Sequence, residues 1–135
     1  MAVSSNDKKK LGRWIKQLRE AKTPVLSQRQ LALAVDITNA SMSSIESGSI
    51  FPSEGVFLKI LDQLQPKPSH RDEMLMLFAK AKGTPPPDIN ARLKDKPVLW
   101  DLVRDLLDTV SDQEQAIYIR QQLNTLKRQD GVSNE

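Results

Sequence analysis

Apolar residues along this chain recur at intervals of three and four nearly throughout, and no stretch alternates apolar and polar positions as a half-buried strand does. The pattern predicts an all-α protein. Leu11, Trp14, Ile15 and Leu18 form the inward stripe of a first helix, with Arg13, Lys16 and Arg19 on its other faces. Thr23-Pro24 ends it. Ser27 and Gln30 have the spacing of a capping box for a second helix that buries Leu31, Ala32 and Val35. Thr38 is placed to cap a third helix, anchored by Met42 and Ile45 and stopped at Gly48. Ser53 caps a fourth, with Val56, Ile60, Leu61 and Leu64 as its stripe. These helices occupy residues 11–65 and leave only tight connections between them.

Past Gln65, Ser69 is placed to cap a helix running through Met74, Leu75, Leu77, Phe78 and Ala81 to Gly83. Residues 84–88, TPPPD, predict an extended spacer, because three prolines in a row cannot continue a helix. Pro97 then opens a segment with Leu99, Leu102, Val103, Leu106 and Val110 on one stripe. Ser111 and Glu114 have capping-box spacing for a last helix carrying Ala116, Ile119, Leu123 and Leu126 at coiled-coil intervals. The chain thus divides into an arm at 1–10, a helical domain at 11–83 with its core at 11–65, a linker at 84–88, a C-terminal helical region at 89–128 and an unstructured tail at 129–135. Two amphipathic helices of this size do not bury their stripes alone. They pack on each other, on the first domain or on a second copy. A homodimer interface made by Leu99, Trp100, Leu102, Val103, Leu106, Ile119, Leu123 and Leu126 is the expectation, and an extension of the monomer core is the alternative.

Composition narrows the chemistry. Charged residues are 27% of the 135 and hydrophobic ones 39%, the balance of a globular protein in water. No apolar run is long enough to span a bilayer, and the first residues lack the apolar core and cleavage site of a secretory signal, so a cytoplasmic location is expected. With no cysteine and a single histidine, His70, a Cys/His zinc site and a Cys-His catalytic pair are excluded, and no cofactor is expected. Asp101, Asp105 and Asp108 share a helix face, but no further ligand group accompanies them, and they read as a solvated acidic surface. No nucleophile, base and orienting group can be assembled, so the chain is not expected to be an enzyme. The net charge of +3 is unevenly placed. Residues 1–50 hold eight Lys or Arg against four acids, whereas residues 88–135 hold seven against nine. A basic first half suits a polyanionic partner, though it also suits a merely solvated face.

Residues 26–64 carry a more specific signal: Ser27-Gln28, Leu31-Ala32, Thr38, Met42 with Ile45, Glu46-x-Gly48, Pro52-Ser53, and then Val56, Ile60 and Leu64. This series closely resembles the XRE, or Cro/CI, family of helix-turn-helix proteins. Two features depart from the family pattern: Asp36 stands where glycine is usual, and the link through Thr23-Pro24 is about two residues longer than usual. The resemblance implies a lambda-repressor-like domain in which helix 27–35 braces helix 38–47 for entry into the DNA major groove. It implies base contacts from Gln28, Asn39, Ala40, Ser43 and Ser44, with Asn39 suited to adenine and the Ala40 methyl to a thymine methyl. Phosphate contacts fall to Lys8, Lys9, Lys10, Lys22, Ser27, Arg29, Thr38, Ser41, Ser47 and Ser49. Arg19 and Glu46 match a structural pair of the family. Because the reading helix has no Lys or Arg, Arg-to-guanine contacts are absent from it, and specificity leans on DNA shape and paired half-sites.

The implied function is a sequence-specific regulator of transcription, a repressor binding a palindromic operator as a homodimer and hence associated with the nucleoid of a prokaryote or acting for a phage. The competing reading is an antitoxin-like or adaptor protein that holds a protein partner through residues 88–127 and binds DNA for autoregulation.

Overall fold

The computed structural model describes residues 3–133, with side chains through residue 129. It is all-helical over these residues, in agreement with the pattern of the sequence. The helices are α1 (Ser5–Glu20), α2 (Gln28–Ala34), α3 (Asn39–Ser47), α4 (Glu54–Leu64), α5 (Pro68–Lys82), α6 (Pro87–Lys94), α7 (Trp100–Thr109) and α8 (Gln113–Ser133), with one 3₁₀ turn at Pro97–Leu99. Two compact units result, Met1–Ala91 and Arg92–Glu135.

In the first unit the caps explain the boundaries. Ser4 accepts a hydrogen bond from the Asp7 amide, and Asp7 complements the helix dipole in the first turn, so α1 begins at Ser5. Lys8, Lys9 and Lys10, expected on an arm, are therefore helical. Ser27 and Gln30 close a complete capping box, with bonds of 3.0 and 2.8 Å. Asp36 adopts the left-handed backbone, φ 61°, between α2 and α3, a conformation that glycine enters freely and aspartate more readily than most other residues. Thr38 caps α3 through the Ser41 amide, and Gly48 ends it at φ 82°.

The core joins Leu11 and Ile15 of α1, Leu31 and Ala32 of α2, Met42 and Ile45 of α3, the inner side of α4, and Met74, Leu75 and Phe78 of α5. On α4 the buried stripe is Phe57, Ile60, Leu61 and Leu64, while Val56 is only partly buried. Phe57 was not on the expected stripe. It stacks on Phe78 with ring centroids 4.4 Å apart, and an aromatic at this register fills more core volume than valine one position earlier. Trp14, expected in the core, packs at its edge, where it meets His70 edge-on at 5.1 Å and carries the Lys10 ammonium over its face.

Four further boundaries differ from those the sequence suggested. α5 starts at Pro68 with no side-chain cap, so Ser69 lies inside its first turn; proline pre-sets the helical φ there and has no amide to leave orphaned. The proline run is not a free spacer: Pro87 is buried and starts α6, and the first unit extends to Ala91. In the second unit Asp112 rather than Ser111 caps α8, accepting from the Gln115 amide at 2.8 Å while Gln115 accepts from Ser111. The α8 backbone is helical as far as Ser133, where an unstructured tail was expected from 129; residues 134–135 lie outside those described, as do Met1 and Ala2 at the start of the expected arm.

α1 crosses α3 in close backbone approach. A Cβ added to Gly12 would lie 2.6 Å from the carbonyl oxygen of Glu46 and closer still to that of Ile45, both rigid backbone atoms. Gly12→Ala is therefore expected to destabilise the fold by about 1–3 kcal/mol or more, because neither helix can yield without opening the core. Gly55→Ala, in the first turns of α4 with nothing within 4 Å, is expected to be neutral or to stabilise by up to about 1 kcal/mol. Urea unfolding of the two variants beside the parent chain checks both signs.

Candidate nucleic-acid interface

α3 presents two faces fixed by its period. Met42, Ile45 and Glu46 point inward, and Asn39, Ala40, Ser43 and Ser47 are exposed, with Ser41 and Ser44 half-buried at the margins. The exposed row is short and weakly polar: one amide, one methyl and hydroxyls.

The bracing of this row rests on a buried charge cluster. Arg19, on α1, donates from Nε to Glu46 Oε2 at 2.7 Å and from Nη2 to Glu46 Oε1 at 2.9 Å, a two-pronged pairing. Its remaining arm donates from Nη1 to the Leu26 carbonyl at 2.9 Å, fixing the chain just before α2. Gln28, in the first turn of α2, donates from Nε2 to Glu46 Oε1 at 3.2 Å. One carboxylate at the end of α3 thus ties down α1, the loop ahead of α2 and α2 itself. The hydrogen bond from Arg19 to Glu46 raises the Arg19 guanidinium above its ordinary value; burial opposes the shift, and the charges of Glu46 and Glu20 add to it. Arginine therefore stays charged at every working pH. No buried side-chain nitrogen or oxygen among the described residues lacks a partner, so the cluster carries no uncompensated desolvation.

Gln28, expected to touch a base, is half-buried and already gives one N–H to Glu46, which leaves its carbonyl oxygen and second N–H for an outside partner. The hydroxyls divide in the same way. Ser27 spends its oxygen on the Gln30 amide and Thr38 its proton on Ser41, so Ser27 and Ser41 retain donor protons. Ser47 donates to the Ser44 carbonyl at 3.1 Å and bonds the Ser49 hydroxyl at 3.0 Å, so these two are largely spent on the turn after α3. Arg29 is exposed on α2, and Lys22 is half-buried just past α1.

The three consecutive lysines separate. Lys10 sits over Trp14, on the side of α1 that meets α5. Lys9 lies against Gly48: a Cβ there would come 2.7 Å from the Lys9 Cα, so the start of α1 is pressed onto the end of α3. A tripeptide of identical side chains gives no hint of this division in sequence; only the length of α1 and its crossing of α3 set it. The contribution of Gln28 to the buried cluster was equally hidden, although its place directly after the capping Ser27 and its reach toward Glu46 follow once the pair with Arg19 is drawn.

Residues 10–74 match the family model described as a helix-turn-helix domain, a span running from within α1 into α5. No curated protein and no solved structure matches the chain. No helix among the described residues is long and apolar enough to cross a membrane.

Removing one partner of a buried, two-pronged ion pair strands the other. Arg19→Ala and Glu46→Ala are each expected to cost about 3–5 kcal/mol, whereas Gln28→Ala, at the half-buried edge, costs about 0.5–1.5 kcal/mol. A double-mutant cycle at Arg19 and Glu46, followed by chemical denaturation, is expected to show strong coupling; additive losses would remove the cluster from its bracing role.

Proposed function

Residues 10–74 form a helix-turn-helix domain consistent with XRE-type regulators, and from this premise we propose that the chain is a transcriptional repressor that binds a palindromic operator as a homodimer. The observation that supports it best is the exposed row of α3 held by the Arg19–Glu46–Gln28 cluster. A reading head works only if its helix is rigidly angled against its brace, and here a single carboxylate sets that angle.

Asn39 and Ala40, in the first turn of α3, read the bases, the amide pairing with adenine and the methyl meeting a thymine methyl. Ser43 and Ser44 lie one turn on and make shorter contacts, and Gln28 offers the edge of its amide beside them. Ser27, Ser41, Arg29, Lys22 and Lys9 approach phosphates, whereas the hydroxyl protons of Thr38, Ser47 and Ser49 are already given within the chain and leave these three outside the phosphate rim. With no Arg or Lys on α3, one head supplies little discrimination, so two half-sites and the local shape of the duplex complete it.

Selecting bound duplexes from a random pool tests the whole proposal: an inverted repeat with A/T positions is expected, and absence of enrichment would refute it. On the enriched site Asn39→Ala is expected to weaken binding by about 1–3 kcal/mol while hardly changing affinity for unrelated DNA. Equal losses on both would take base reading away from Asn39. Truncation after Ala91, where the first compact unit ends, is expected to leave a folded domain with far weaker binding to the repeat.

A further inference from the structure

The first unit holds an open pocket of about 660 Å³ where α4, the start of α5 and α6 meet, lined by residues that belong to neither α2 nor α3. The period of α4 makes one side of it. Leu58, Leu61, Asp62 and Gln65 recur at i, i+3, i+4 and i+7, a stripe that shares only Leu61 with the buried one. Leu58 is 36% exposed there, and with Pro66 and the buried Pro87 it makes an apolar floor. A volume of this order is that of a small-molecule site.

The rim carries charge of both signs. Lys59 and Arg71 are positive, Asp62 and Asp88 are negative, and Arg71 and Asp88 are half-buried. Among the described residues none of these four side chains makes a hydrogen bond or an ion pair. Half-burial has thus taken water from a guanidinium and a carboxylate without returning an opposite charge to either, which leaves each disposed toward an outside partner. Gln65 lines the same space. It ends α4 in the left-handed backbone, φ 46°, where glycine or asparagine is the relaxed choice. What glutamine adds at that position, and glycine lacks, is a side-chain donor and acceptor beside the pocket.

The balance of charge selects the ligand. An ion of one sign is attracted by two of these groups and repelled by the other two, whereas a molecule bearing both signs satisfies each. We propose that the pocket binds a zwitterion with an apolar body, its carboxylate taken by the two-pronged guanidinium of Arg71, its ammonium by Asp88 and Asp62, and its apolar part lying over Leu58 and Pro87. A free α-amino acid and a short peptide share this chemistry and differ in the separation of their charges. The site goes beyond the regulator reading and does not rest on it, and it is tested without DNA, so its failure is distinct from failure of base reading.

Isothermal titration calorimetry of the full chain with L-leucine and with L-leucyl-L-leucine separates the two sources. Saturable binding of at least one is expected, and the one that binds reports the charge separation the pocket accepts. Blocking either end of that probe, the carboxylate as a methyl ester or the ammonium as an N-acetyl group, is expected to weaken it about tenfold or more. Arg71→Gln is expected to weaken the free zwitterion by a similar factor while leaving the methyl ester unchanged, and Asp88→Asn to weaken it while leaving the N-acetyl form unchanged, with circular dichroism to establish that both variants keep their helices. The blocked probes act on the parent chain, so the test stands even where a variant unfolds. Absence of saturable binding by both zwitterions, blocked probes that bind as tightly as the free one, or a folded Arg71→Gln chain that still discriminates acid from ester would each overturn the site.

Discussion

The arrangement of the first unit depends on one carboxylate. Glu46 sits in the last turn of α3, and its two oxygens take three hydrogen bonds from Arg19 and Gln28, while Arg19 reaches on to the Leu26 carbonyl. Apolar packing brings α1, α2 and α3 together, but it is tolerant of small rotations. A two-pronged guanidinium pair is not, since its strength needs both bonds in plane. The orientation of the exposed α3 row is thus fixed from beneath, by an ion pair largely withdrawn from solvent and a half-buried amide.

This division of labour bears on the proposed reading of DNA by a row with so few long polar side chains. Its side chains are short, so a tilt of α3 would move them out of reach, whereas a head built on Arg or Lys tolerates such a tilt. Rigidity below the surface substitutes for reach above it. Gly12 belongs to the same economy: by omitting a Cβ it lets α1 approach the α3 backbone closely enough for Arg19 to close on Glu46.

The helices of residues 11–65, their caps at Ser27, Thr38 and Ser53, and the turn at Asp36 were legible in the sequence because each rests on a local rule acting over three or four residues. What was not legible depended on contacts distant in sequence. Phe57 is the exception, since with Ile60, Leu61 and Leu64 it completes the i, i+3, i+4, i+7 spacing better than Val56 does. Pro87 reads as a breaker until the side chains around it bury it. Lys9 and Lys10 differ only through what α1 crosses. At the candidate site the residue types on the exposed row were evident, but the state of Gln28 and the hydroxyls was not, because a hydrogen bond already spent is a property of the fold. The cap of α8 moved one residue for a related reason, Asp112 and Gln115 satisfying the same spacing as Ser111 and Glu114.

Two glycines of the first unit adopt the left-handed backbone after a helix, Gly48 at φ 82° and Gly83 at φ 69°, and a scan of the sequence would treat them alike. Their evolutionary latitude differs. Around Gly83 a Cβ meets nothing within 4 Å, so asparagine, which tolerates that backbone, is an accessible neighbour in sequence space. At Gly48 the Lys9 backbone occupies the place of the Cβ, and any side chain separates α1 from α3. Drift at position 48 is therefore closed in every direction at once, and the first turns of α1 inherit that restriction: they can vary in side chain, but not in path.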